Sequence, residues 1–69
     1  MRNDIFLKEM GEKIKAIRKE RKITLRELGK MCGLDYGSIS RIENGQKNSY
    51  VLTLKNIADK LNVNLKDLI

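Results

Sequence analysis

No histidine, no proline and no tryptophan occur in the 69 residues, and there is a single cysteine, Cys32. Without imidazole, and with one thiol, the chain lacks a ligand set for zinc, an intrachain disulfide and a nucleophile–base pair of the Cys–His kind. No enzyme, no metal and no other cofactor is therefore expected. Neither proline nor a Gly/Ser-rich stretch divides the chain, and no repeat or low-complexity stretch interrupts it, so residues 1–69 read as one domain. Long apolar runs are missing as well. The longest, Ile5–Leu7, holds three residues, against the ~20 needed to span a bilayer. No signal-peptide pattern opens the chain, and a free thiol suits a reducing compartment, so a cytoplasmic location without a membrane partner is expected.

Charge of one sign dominates what is present. Fifteen Lys+Arg stand against nine Asp+Glu, a net charge of +6 with an isoelectric point near 9.7. That balance points to an acidic partner such as nucleic acid. Residues 13–30 alone carry eight Lys/Arg and two Glu, matching the excess of the whole chain. An apolar fraction of 41% marks a globular rather than a disordered chain. So short a chain buries only about 60% of its unfolded surface, which demands few and locally consistent elements.

The apolar spacing Phe6, Met10, Ile14, Ile17 predicts an amphipathic helix over about 4–22, with Lys13, Lys15, Lys19, Arg21 and Lys22 turned outward. Gly11 lies inside it at a cost of ~1 kcal/mol relative to alanine. Thr24-Leu25-Arg26-Glu27 fits a capping box and opens a second helix over 24–32 on Leu25, Leu28 and Cys32; Gly33 ends it. Asp35 is a good N-cap for a third helix, 35–44, with Ile39 and Ile42 inward, Leu34 packing from the preceding turn, and Asn44-Gly45 closing it. Val51, Leu54, Ile57, Ala58 and Leu61 predict a fourth helix over 51–61, and Leu65, Leu68 and Ile69 a fifth over 65–69. No segment alternates long enough to be a strand. The fold class is all-α.

Residues 25–43 form a unit with a mechanical logic. Two helices crossing steeply need a small residue where their backbones approach (Gly29), a glycine to turn the chain (Gly33) and branched residues to lock the crossing (Ile39, Ile42). This is a helix-turn-helix, whose second helix enters the DNA major groove; an ordinary αα-hairpin in a bundle would explain the same apolar positions. The outer face of the third helix is small, aromatic or cationic, which favours DNA.

The stretch Ile23-Thr24-Leu25-Arg26-Glu27-Leu28-Gly29 through Ser40-Arg41-Ile42-Glu43-Asn44-Gly45, with Arg18 before it and residues 54–63 after it, resembles the Cro/CI-type (phage repressor-like, XRE-family) helix-turn-helix regulators. The resemblance implies a compact five-helix lambda-repressor-like DNA-binding domain, with the motif formed by helices 2 and 3. It further implies a bacterial or phage regulator, a repressor by expectation, binding double-stranded operator DNA as a homodimer on a palindromic site. Carried over by position, it gives Tyr36, Gly37, Ser40 and Arg41 as base-reading residues. Thr24, Arg26, Ser38, Asn44, Lys47 and Asn48 fall where the phosphates would lie. Arg18 and Glu43 match a pair bridging the first and third helices, for which partial burial is expected.

Residue chemistry qualifies these roles. Arg41 can fork onto guanine O6/N7 or grip a phosphate. Tyr36 can meet a phosphate or a thymine methyl, or plug the crevice of the motif. Gly37 has nothing to read with and lets backbone and duplex come close, or is merely a tolerated first-turn glycine. Ser38 and Ser40 are open between base, phosphate and local backbone. Arg26 and Lys47 are as readily solvated cations. Two departures stand out: the family commonly has a phosphate-binding Gln at Leu25 and a proline at Ser49. Leu65, Leu68 and Ile69, with Val51 or Leu52, either pair two subunits or complete the core of one. Paired subunits would set their third helices about 34 Å apart. An antitoxin-like protein-binding module, or the DNA-binding head of a longer regulator, would share every one of these residues. A membrane-surface role for the basic first helix is disfavoured, because the chain supplies a core for its apolar face.

Overall fold

In the computed structural model the described residues are 2–46 and 51–69, with side chains described from residue 5 onward in the first helix. Four α-helices follow in order: α1 (Arg2–Glu20), α2 (Leu25–Cys32), α3 (Tyr36–Glu43) and α4 (Val51–Leu61), then a 3₁₀ turn at Leu65–Asp67. No strand occurs among the described residues. The all-helical expectation holds, but with four helices instead of five. The last turn, Leu65–Asp67, does not carry an i→i−4 ladder. It closes instead on i→i−3 bonds, Asp67 N–H to Asn64 O and Leu68 N–H to Leu65 O, both 2.9 Å.

All four helices stop in the same way. A residue in the left-handed region (Lys22, Gly33, Gly45, Asn62) follows each last turn. The next N–H then reaches back five residues: Ile23 to Arg18 O, Leu34 to Gly29 O, Gln46 to Arg41 O and Val63 to Ala58 O, at 2.8–3.1 Å. These Schellman closures satisfy carbonyls that would otherwise lack partners and turn the chain sharply between helices. At two of the four sites the chain uses Lys22 and Asn62 rather than glycine. The N-terminus of α2 is closed by a reciprocal pair, Glu27 N–H to Thr24 Oγ1 at 3.1 Å and Thr24 N–H to Glu27 Oε1 at 2.8 Å. At α3, Ser38 N–H donates to Asp35 Oδ1 at 2.7 Å.

The core collects Met10 and Ile14 of α1, Leu28 and Cys32 of α2, Ile39 and Ile42 of α3, Leu54, Ile57, Ala58 and Leu61 of α4, and Leu68. Phe6, expected on the inner face of α1, is half exposed; Leu7 packs against the core in its place, so the buried stripe runs Leu7, Met10, Ile14, Ile17. Both phases fit a helical period at this end, and the neighbouring helices decide between them. Leu68 is wholly enclosed (0% exposed) and so serves this subunit's core, while Ile69, Val51 and Leu52 stay exposed.

Packing is densest where α3 meets α2 and α1; α2 also meets α4, and α4 carries the last turn. Among the described elements, α3 is thereby held chiefly by α1 and α2. Its crossing with α1 depends on Gly11, where a Cβ would collide with the main-chain oxygens of Ile42 and Glu43. A glycine that looks costly inside α1 thus allows two backbones to touch.

Candidate nucleic-acid interface

The inner side of α3 is fixed by chemistry as well as shape. Arg18 Nε donates to Glu43 Oε2 at 2.6 Å, Arg18 Nη2 to Glu43 Oε1 at 3.2 Å, and Arg18 Nη1 to the Ile23 carbonyl at 2.8 Å. Arg18 is 7% exposed and Glu43 5%, a deeper burial than the partial burial expected. One guanidinium therefore ties α1, the α1–α2 turn and the C-terminal end of α3 together, in the planar fork that only arginine supplies. Asn56 Nδ2 adds a second tie, donating to the Cys32 carbonyl at 2.8 Å and joining α4 to the end of α2. Asparagine gives no apolar-periodicity signal, so sequence reasoning passes over it.

On the α2 side, a Cβ at Gly29 would stand 2.6 Å from the Leu34 oxygen and 3.3 Å from Tyr36 N, so the start of α3 presses on the middle of α2. Gly33, at φ 73°, makes the turn. Ile39 and Ile42 are fully enclosed. Leu25, where the family commonly carries glutamine, packs partly buried against the core.

The opposite side of α3 is open. Tyr36, Gly37, Ser40 and Arg41 lie at positions i, i+1, i+4 and i+5, one face of a helix. Tyr36 and Arg41 are exposed, and Gly37 and Ser40 partly so. Gly37 is not crowded among the described residues: a Cβ there would meet Arg41 Nη1 at 3.6 Å and Asp35 Oδ1 at 3.8 Å, ordinary van der Waals contacts. Arg41 Nη2 reaches Ser38 Oγ at 3.5 Å, too long to restrain it. Thr24, Arg26 and Asn44 are exposed and flank this face at the start of α2 and the end of α3; Ser38 is partly exposed on α3. Lys47 and Asn48 lie outside the described residues, as does Ser49. Arg26 and Tyr36 come together, with the guanidinium carbon 4.8 Å from the ring centroid. Residue type and spacing do not join the two, because their contact depends on how α2 and α3 cross.

Of the cations in 13–30, Arg18 is consumed inside, whereas Lys13, Lys15, Lys19, Arg21, Lys22, Arg26 and Lys30 remain on the surface. Cys32 is buried, and that burial raises its thiol pKa against a lesser lowering by Lys60. It belongs to the core, where burial disfavours the reactive thiolate. No group of three or more His, Cys, Asp or Glu that could hold a metal occurs among the described residues. Nor is any helix among them long and apolar enough to cross a membrane.

A helix-turn-helix family model matches residues 14–68, from the second half of α1 through the last turn. The chain belongs to this helix-turn-helix family. It is the XRE type of transcription regulators, a family of regulators and not of enzymes. Among curated proteins this helix-turn-helix chain is 36% identical over 58 residues to the HTH-type transcriptional repressor RghR of Bacillus subtilis, covering 83% of the chain and 43% of RghR. The chain thus spans less than half the length of that relative. Among solved structures it superposes on the restriction-modification controller protein C.AhdI from Aeromonas hydrophila with a TM-score of 0.88 and 22% identity, covering 91% of this chain and 96% of that one. The clp gene regulator ClgR from Corynebacterium glutamicum superposes with a TM-score of 0.89 at 24% identity, covering 91% and 81%. At these identities the likeness speaks for the fold.

Proposed function

We propose that this helix-turn-helix domain binds double-stranded DNA sequence-specifically, α3 lying in the major groove, and that it acts as a transcriptional repressor on an operator with two-fold symmetry. The observation that carries the reading is the asymmetry of α3. One side is locked by Ile39, Ile42 and the Arg18–Glu43 fork, and the other offers Tyr36, Gly37, Ser40 and Arg41 without a covering segment among the described residues. A rigid rod with one open face is what groove insertion requires, since side chains read base edges only when their helix is held at fixed depth.

In this reading Arg41 is the principal base reader, with a fork matched to guanine O6/N7. Tyr36 meets a thymine methyl or a phosphate, and Ser40 donates or accepts beside it. Gly37 lets the α3 backbone come close to the duplex. Thr24, Arg26, Ser38, Asn44, Lys47 and Asn48 grip phosphates and set register without reading sequence. The first-turn N–H groups of α2 and α3 add positive ends of helix dipoles toward the phosphates. Of the residues expected to pair two copies, Val51, Leu52 and Ile69 are exposed and Leu65 partly so, whereas Leu68 is taken by the core.

Selection of bound sequences from a random duplex pool at defined salt tests the proposal. A single enriched motif with inverted symmetry, bound two copies at a time, is expected, with affinity falling steeply as salt rises because phosphate neutralisation releases counterions. Equal affinity for enriched and scrambled duplexes would sink it. Placing the enriched site in a reporter promoter gives the sign of regulation, and repression is the expected outcome.

A further inference from the structure

We propose that Arg26 is a positioning residue for Tyr36, so that phosphate gripping by α2 and base reading by α3 are one coupled device; this rests on the DNA-binding reading above. Tyr36 is the first residue of α3 and is 50% exposed. A half-exposed tyrosine at a helix start ordinarily samples several rotamers. Here the Arg26 guanidinium lies over the ring, 4.8 Å from carbon to centroid. The two residues, with Glu27, Lys30, Leu34 and Asp35, line the open cleft between α2 and the start of α3.

Arg26 itself is held by little else. Glu27, its acidic neighbour, is spent on the Thr24 N–H. No hydrogen bond or ion pair of the Arg26 side chain occurs among the described residues, so the ring is what orients the guanidinium. A cation over a ring is held through the ring's π face and not through its N–H donors, which stay available to a phosphate. A phosphate drawing on those donors would therefore pin the guanidinium, and through it the ring. Arg26 thereby affects base preference without touching a base, through the rotamer of Tyr36.

The coupling has a signature that a phosphate anchor alone lacks. Removing a plain anchor weakens selected and scrambled duplexes together and leaves their ratio unchanged. For Arg26→Ala the ratio of selected to scrambled affinity is expected to fall about two- to fivefold, the range of an exposed cation–π contact. In a Tyr36→Leu background the same substitution is expected to leave the ratio unmoved. In the free protein the δ-methylene protons of Arg26 should be shifted upfield by the ring, a shift lost in Tyr36→Leu. Because Arg26 is exposed, the variants should retain the fold, which thermal melts verify. A normal δ-methylene shift in the parent, or an equal loss of ratio in both backgrounds, overturns the coupling while leaving DNA binding intact. Failure of the parent protein to prefer any sequence overturns the DNA reading, and the coupling with it.

Discussion

On its inner side α3 meets α1 so closely that the Gly11 backbone abuts the carbonyls of Ile42 and Glu43, with the Arg18 fork closing the end. On its outer side, about half a turn round the same eight residues, Gly37 has room for a side chain, and among the described residues Arg41 makes no hydrogen bond shorter than 3.5 Å. Both sides carry a glycine and an arginine, put to opposite use. Inside, Gly11 is there because a neighbouring backbone leaves no space, and Arg18 because a buried carboxylate needs its charge. Outside, no contact among the described residues demands either one, which is what the proposed DNA reading expects of a face kept for a partner. Residues whose identity the structure does not demand are where recognition chemistry is to be sought.

The widest gap between the two sides should be seen at the buried pair. Glu43→Ala leaves Arg18 charged and enclosed, so a loss of about 3–5 kcal/mol in urea unfolding is expected. Replacing both partners at once, Arg18→Met with Glu43→Leu, removes two desolvation terms together with the attraction and should recover most of that loss. A Glu43→Ala protein as stable as the parent would mean that the inner side is not locked by charge.

Next comes Gly11→Ala, which sets the helix-propensity gain of an alanine against collision with two main-chain carbonyls. Backbone cannot rotate away as a side chain can, so the collision should win and destabilise by about 2–3 kcal/mol, measured by the same urea titration. An unchanged or raised midpoint would show that the α1–α3 approach is looser than described.

These two positions also mark how far sequence reasoning reaches. Helices α1 to α4 are legible because Met10, Ile14, Leu28, Ile39, Ile57 and Leu61 fall at helical spacing, and Thr24 with Glu27 announces a helix start by residue type alone. The grouping of Tyr36, Gly37, Ser40 and Arg41 on one face follows from the same period. What escapes is anything decided by a second element. The importance of Gly11 depends on where α3 crosses, the Arg26–Tyr36 stack on how α2 and α3 splay, and the phase of Phe6 against Leu7 on which neighbour lies alongside. Leu68 is readable as apolar, yet periodicity is silent on whether its own core or a second subunit encloses it. Leu65, Leu68 and Ile69 likewise look helical by spacing, yet the bonds at Asp67 and Leu68 close a 3₁₀ turn.

On the outer side, Arg41→Ala should leave the urea midpoint within about 0.5 kcal/mol of the parent, because nothing buried depends on it. Its effect should be confined to DNA: a loss of about 1–3 kcal/mol in discrimination at one base pair, measured by comparing the selected duplex with single-base variants. A uniform loss across all duplexes, with a salt slope reduced by about one, would instead assign Arg41 to a phosphate and move the base reading to Tyr36 and Ser40.

The smallest expected change in stability is the most discriminating. Gly37→Ala adds a methyl into space the described residues leave open and removes a helix glycine, so the protein should gain about 0.5–1 kcal/mol in urea unfolding. If Gly37 is there because the duplex backbone comes close, the same methyl must lower affinity for the selected site. Stability and binding would then move in opposite directions from one substitution, as expected for a residue retained for a partner and not for the fold. Should both rise together, Gly37 is simply a tolerated first-turn glycine, and close approach of α3 to DNA would have to be sought at Ser40 and Arg41 alone.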